Sequence, residues 1–107
     1  MKSRFVKLVV FVPKTHAEKV RAALGAAGAG RLGNYSYCSF SSDGVGRYLP
    51  GKAARPARGA RGHLARVREE RIEVLCEKKE LKHIIAAMKR VHPYEEIAFD
   101  VYQLDTL

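Results

Sequence analysis

The chain has 107 residues, of which 47% are hydrophobic, and its 20 Lys and Arg against 11 Asp and Glu give a net charge of +9. This length accommodates one compact domain with a single core and excludes a second, so we expect one domain over residues 1–107. Two widely separated cysteines, Cys38 and Cys76, are too few for a disulfide scaffold and indicate reduced thiols in a cytoplasmic protein.

The first predicted element is a strand over Phe5–Val12. Its unbroken apolar run of five residues is too short for a signal peptide or a membrane span, so no membrane association is expected. The run alternates only weakly, which is typical of a strand buried on both faces. Thr15 and Glu18 have the spacing of a capping box, and helical spacing of apolar residues then predicts a helix over residues 15–27.

Glycines and aromatic residues follow this helix. Gly28 to Gly33 are interpreted as a helix C-cap and tight turn, because a Walker loop would end in Gly-Lys-Ser/Thr and a Rossmann loop would follow a strand. Alternation from Tyr35 to Ser42 predicts the second strand, with a turn or kink at Gly44. We expect Cys38 to be buried in this strand, since no base is visible that would make it a nucleophile.

Most of the positive charge lies in a predicted loop at about residues 47–66. Between Gly44 and Arg68 there are seven basic residues and no acid, whereas the rest of the chain is nearly balanced at +2. Glycine, proline and the lack of a hydrophobic period predict an exposed, mobile loop that either binds anions when ordered or serves as a solvated tether. The candidate anion-binding residues are Arg47, Lys52, Arg55, Arg58 and Arg61.

The second half of the chain predicts a strand, a helix and a last strand. Val67 and the alternation from Ile72 to Cys76 indicate the strand, and helical spacing from Leu81 to Met88 indicates the helix. Alternation from Ile97 to Val101 indicates the last strand, which continues to about residue 104. The order β-α-β-β-α-β predicts an α+β ferredoxin-like domain, with a four-stranded antiparallel sheet and both helices on one face. Because the helices cover only one face, apolar side chains on the other face indicate self-association.

Short motifs in a fixed order give the chain a specific resemblance. It closely resembles the small PII-like, CutA-like domain inserted in bacterial members of the Nif-three-like family, also called GTP cyclohydrolase type 2 homologues, and here that domain is expected to stand alone. The motifs are Val12-Pro13, Gly28-Ala-Gly-Arg-Leu-Gly-Asn-Tyr35, Cys38-Ser-Phe40, Gly44-Val-Gly46 with Pro50, Arg71-Ile-Glu73 and His92-Pro-Tyr-Glu-Glu96.

This resemblance implies the ferredoxin-like fold, a homotrimer and a regulatory or ligand-sensing role without catalysis. It implies no cofactor and no metal, because the metal ligands of the larger proteins lie outside the insert. The predicted partners are a small anionic ligand or a protein. The predicted ligand-binding residues are Asn34, Tyr35, Cys38, Gly44, Gly46, His92, Tyr94 and Glu95.

The segment His92–Glu96 allows two interpretations. Its imidazole and carboxylates could meet the glycine-rich segment at a pocket between subunits and bind a metal or a small molecule. Alternatively, Pro93 stops the helix, Tyr94 packs and His92 caps carbonyls.

Two other functions remain open. One is a small metal-binding protein or hydrolase that uses His92, Glu95 and Cys38. The other is a nucleic-acid-binding protein that uses the basic loop; this class is less favoured because the only aromatic residue beside the basic residues is Tyr48.

Overall fold

Four strands and two helices follow one another in the predicted order in a computed structural model, which describes residues 1–106. Short 3-10 turns at Lys14–His16 and Lys78–Glu80 precede the two helices. The elements are β1 Lys2–Pro13, α1 Ala17–Ala26, β2 Phe40–Tyr48, β3 Ala65–Glu77, α2 Leu81–Val91 and β4 Phe99–Asp105.

The strands form one antiparallel sheet in the order β2-β3-β1-β4. The two long strands β1 and β3 lie in the middle, and β2 and β4 are the edges. This topology confirms the predicted ferredoxin-like fold and places both crossover helices on one face.

The core lies between this helix-covered face and the helices. Val6, Leu8, Val10 and Val12 of β1 point into it, together with Val20 and Leu24 of α1 and Ile84 and Met88 of α2. Val9, on the opposite face, is also fully buried. Strand β1 is therefore apolar on both faces at its centre, as its weak alternation predicts.

Helix α1 ends as predicted but begins differently. The amide of Ala29 donates to the Leu24 carbonyl at 2.9 Å and that of Gly28, with φ 107°, to the Gly25 carbonyl at 3.1 Å. These two bonds are a Schellman C-cap. The predicted capping box is wrong: no side chain caps the start of the helix, and the Thr15 hydroxyl contacts the His16 ring instead.

The predicted second strand is displaced by several residues. It begins at Phe40 and continues through Gly44 and Gly46 to Tyr48, because nine residues of β2 pair with β3 and hold these glycines in extended backbone. Tyr35 and Tyr37 lie before it in a loop rather than on the two faces of a strand.

Cys38 is likewise outside the sheet and only half-buried, so its predicted burial in a strand is wrong. No helix among residues 1–106 has the length and apolar character needed to cross a membrane.

Candidate functional site

A pocket of about 350 Å³ opens where the β2–β3 loop folds against the segment between α2 and β4. The pocket is lined by Tyr48 at the end of β2, by Phe11 of β1 and by Tyr94 in the segment after α2. Prolines and alanines of the loop and Ala98 complete a mostly apolar wall. Its volume is at the small end of the range of small-molecule sites.

The two tyrosine rings pack edge to face in this wall. Their centroids are 5.7 Å apart and their planes meet at 68°. The Tyr94 hydroxyl donates to Oε2 of Glu69 at 3.1 Å. Burial raises the pKa of Tyr94, and the neighbouring Tyr48 and Glu69 side chains raise it further, so the phenol stays protonated.

Glu69 reaches the pocket because the facing strand leaves space for its carboxylate. A Cβ atom at Gly46 would lie 2.2 Å from Oε1 of Glu69, so a larger residue there would displace this side chain. The absence of a side chain at Gly46 therefore leaves room for the Glu69 carboxylate. Glu69 has no obvious sequence signal, because it lies beside Gly46 only through the register of β2 on β3.

His92 supports the pocket from behind rather than lining it. Its Nε2 lies 2.8 Å from the Phe11 carbonyl oxygen, and its Nδ1 accepts from the Tyr94 amide at 3.2 Å. Since a carbonyl only accepts and an amide only donates, the ring carries one proton, on Nε2. Desolvation lowers the pKa of His92, which is consistent with a neutral ring.

Both nitrogens of His92 are thus engaged, and its ring fixes Tyr94. The interpretation in which Pro93 stops the helix and His92 bonds a carbonyl is the one that the geometry favours, although the carbonyl belongs to β1 rather than to α2. Among residues 1–106, no three or more His, Cys, Asp or Glu side chains form a group that could hold a metal ion.

The basic loop makes several bonds along the pocket and outside it. The Arg55 amide donates to Oε1 of Glu95 at 2.6 Å, and the Tyr48 hydroxyl donates to the Arg58 carbonyl at 2.9 Å. The Arg58 guanidinium donates to the Thr15 hydroxyl at 2.9 Å, and Arg61 donates to the Ala54 carbonyl at 2.7 Å.

Among the predicted anion-binding residues, only Arg47 lines the pocket. Lys52 is exposed in the loop and is not part of the pocket wall. The exposed character of the loop agrees with the sequence prediction.

The remaining predicted ligand residues lie elsewhere. Asn34 and Tyr35 are exposed in the loop after α1, and Gly44 is exposed on β2 outside the pocket. The Cys38 amide donates to the Gly30 carbonyl, and the Gly30 amide donates to the carbonyl of Leu75.

Leu75 is six residues beyond Glu69 along β3, a distance of roughly 20 Å in a strand. Within one chain the structure therefore brings together Gly46, Tyr94 and Glu95, with His92 behind them, and separates them from Cys38 and its neighbours. Sequence reasoning missed Phe11 and Glu69 and did not assign Tyr48 to a ligand site.

Comparisons with known proteins support the resemblance over nearly the whole chain. The GTP cyclohydrolase 1 type 2 homolog of Bacillus subtilis is 50% identical over 99 residues, which cover 92% of this chain and 26% of that protein. A crystal structure of a Bacillus cereus protein related to NIF3 has 49% identity and a TM-score of 0.84, covering 99% of this chain and 27% of that one. No family model matches the chain.

The fold also occurs in smaller proteins. The PII-like protein CutA from Nostoc superposes with a TM-score of 0.66 at 16% identity, covering 98% of this chain and 82% of that chain. This likeness confirms the predicted CutA-like fold. The chain spans about a quarter of the length of the curated relatives it matches, and its similarity is to that segment of them.

Proposed function

We propose that this chain, similar to a segment of the GTP cyclohydrolase 1 type 2 homologues, is a non-enzymatic ligand-binding domain that senses a small molecule as a homo-oligomer. The observation that supports this most is the pocket beside Tyr94, with aromatic walls and a few oriented polar groups. No Cys, Ser, Thr, His or Lys is among the described residues that line it.

The pocket is coupled to the basic loop, which suits a sensing role. The loop forms one wall and is bonded to the pocket through the Arg55 amide and the Arg58 carbonyl. A ligand that contacts this wall would stabilise one arrangement of the loop, whose outer surface could then be recognised by an acidic partner protein.

The alternatives have less support from the geometry. A metal site or hydrolase built from His92, Glu95 and Cys38 would need groups that lie in different places, and both nitrogens of His92 are engaged. Binding of single-stranded nucleic acid uses several aromatic rings beside the basic residues, and Tyr48 is the only one in this stretch of the sequence.

A tryptophan placed in the loop tests whether the pocket binds a ligand. Ala57 lines the pocket, whereas Ala53 lies in the same loop outside it. We expect native mass spectrometry and thermal shifts with a metabolite panel to reveal a compound that binds wild type and Ala53→Trp but not Ala57→Trp. If no compound binds wild type, or if Ala57→Trp binds equally well, the proposal fails.

A further inference from the structure

We infer that this pocket selects a small organic cation of the quaternary or methylated ammonium type, held by the rings of Tyr48 and Tyr94 and by the carboxylates around them. The inference rests on the proposed ligand-binding function and names the chemical class of the ligand. It reverses the sign of the ligand charge that the basic loop predicts from the sequence.

The first argument is the local charge. Three carboxylates, Glu69, Glu95 and Glu96, line the pocket against one cation, Arg47, although the whole chain carries +9. None of these three carboxylates forms an ion pair among residues 1–106. A bound cation would offset this local excess of negative charge.

The second argument is the way in which two of the carboxylates are held. Glu69 accepts from the neutral Tyr94 hydroxyl, and Glu95 accepts from the Arg55 amide. Both bonds orient a carboxylate without neutralising it, so the negative charge is retained at the pocket.

The third argument is the aromatic wall. The faces of tyrosine rings carry negative electrostatic potential and attract ammonium groups, and aromatic cages recognise quaternary ammonium ligands. Tyr48 and Tyr94 both line the pocket and their planes meet at 68°, so the two rings bound it in different orientations. A methylated ammonium also tolerates the alanines and prolines of the wall better than a strongly hydrated cation does.

Three arginines of the loop are not among the residues that line the pocket. Arg58 and Arg61 use their guanidinium groups on Thr15 and on the Ala54 carbonyl, and Arg55 contributes its amide. An anion therefore has one arginine available there, at Arg47.

Choline and 3,3-dimethylbutan-1-ol provide a matched pair of probes, because they share a shape and differ in charge. We expect choline to bind wild type about tenfold more tightly than the alcohol in calorimetric or NMR titrations, a difference of about 1.4 kcal/mol. Inorganic phosphate is the anionic probe and should not compete with choline. Ala57→Trp should abolish choline binding if the site is this pocket.

Two charge-removing variants separate cation recognition from folding. Glu69→Gln and Glu96→Gln should each weaken choline binding about threefold or more and leave binding of the alcohol unchanged. Glu73→Gln is the control, because Glu73 lies on the same face of β3 as Glu69 but outside the pocket. Melting temperatures would verify that all three variants fold.

The outcomes distinguish the two proposals. Equal binding of choline and the alcohol, both lost in Ala57→Trp, would overturn cation selection and leave the ligand-binding function standing. Tighter binding of phosphate, or unchanged choline affinity in both glutamine variants, would also overturn it. If neither probe binds but a panel compound does, the inference fails alone; if nothing binds, both fail.

Discussion

His92 connects the end of α2 to the central strand of the sheet. Its Nε2 donates to the Phe11 carbonyl, and its Nδ1 accepts from the Tyr94 amide, so the ring sets the backbone from which Tyr94 enters the pocket. The ring is also tilted against Tyr94, with 5.2 Å between centroids. Since only the neutral tautomer makes both bonds, the protonation of His92 affects folding and site geometry together.

We expect stability to fall as the pH is lowered below about 6.5, the ordinary pKa of histidine. Desolvation lowers the folded pKa, and the nearby His16 lowers it further, so the unfolded chain takes up the proton first. One such group contributes at most about 1.4 kcal/mol per pH unit, with the full stability present above the unfolded pKa.

Urea unfolding between about pH 7.5 and pH 5.5 would measure this slope. His92→Gln keeps a donor and an acceptor but does not titrate, so its stability should depend less on pH than that of wild type. His63→Gln, at an exposed loop position, should retain the wild-type slope. If the stability of wild type and of His92→Gln depended equally on pH, the pH dependence could not be assigned to His92.

At the candidate site, the residues that could be predicted are those that lie in a recognisable local sequence pattern. Tyr94 and Glu95 follow the Pro93 that ends a helix, and Gly46 and Arg47 belong to a glycine-rich segment with an unusual charge. Phe11 and Glu69 have no such local signal. They join the pocket only because antiparallel register places β1, β2 and β3 side by side.

At the scale of the elements, the conformation of the turn after α1 depends on glycine. Gly30 has φ 79°, and a Cβ atom there would lie 2.2 Å from the Cys38 carbonyl oxygen. Gly33 has φ 56°, and a Cβ atom there would meet nothing within 4 Å. The two positions share a left-handed backbone and differ in crowding.

Alanine at these two positions should therefore have unequal effects. Gly33→Ala should destabilise by about 1 kcal/mol, the cost of a side chain in left-handed backbone. Gly30→Ala should cost at least about 2 kcal/mol more, because it also forces Cys38 away and strains the bond from the Cys38 amide to the Gly30 carbonyl. Equal midpoints in chemical denaturation would show that the close approach is unimportant.

The two helices and the second strand show which elements could be predicted. The apolar stripe of α2 follows from the spacing of its own residues. The helix is therefore predicted correctly from Leu81 to its end before His92-Pro93. The extent of β2 depends on its partner: Gly44 and Gly46 are extended because β3 pairs with them. Local propensity instead placed the strand on Tyr35 and Tyr37, whose backbone turns before the sheet begins.

Across the whole molecule, the sheet has one face covered by helices and one without such cover. Phe40 of β2 and Tyr102 of β4 lie on the uncovered face with 68% and 45% of their surfaces exposed. Val101, also on the β4 edge, is 40% exposed. Exposed apolar side chains on both edge strands support the proposed self-association.

We expect light scattering to give a mass that is a multiple of the 11.9 kDa chain, three-fold for the proposed trimer. The double variant Phe40→Glu with Tyr102→Glu should dissociate at concentrations where wild type remains associated, because it places charges on the uncovered face. Leu64→Glu is the control, since Leu64 is 66% exposed but lies outside the sheet. A monomeric wild type, or equal dissociation of the control, would contradict the proposal that the uncovered face is the interface between subunits.

The loop between β2 and β3 has two sides with opposite charge environments. Its inner side faces the pocket carboxylates, and its outer side carries arginines, with Arg58 bonded to Thr15 just before α1. Ligand and partner would therefore act on the same segment from opposite sides. Suppose that a ligand in the pocket changes the affinity of the loop for an outside partner by some factor. Thermodynamic linkage then requires that the partner change the affinity of the pocket for the ligand by the same factor.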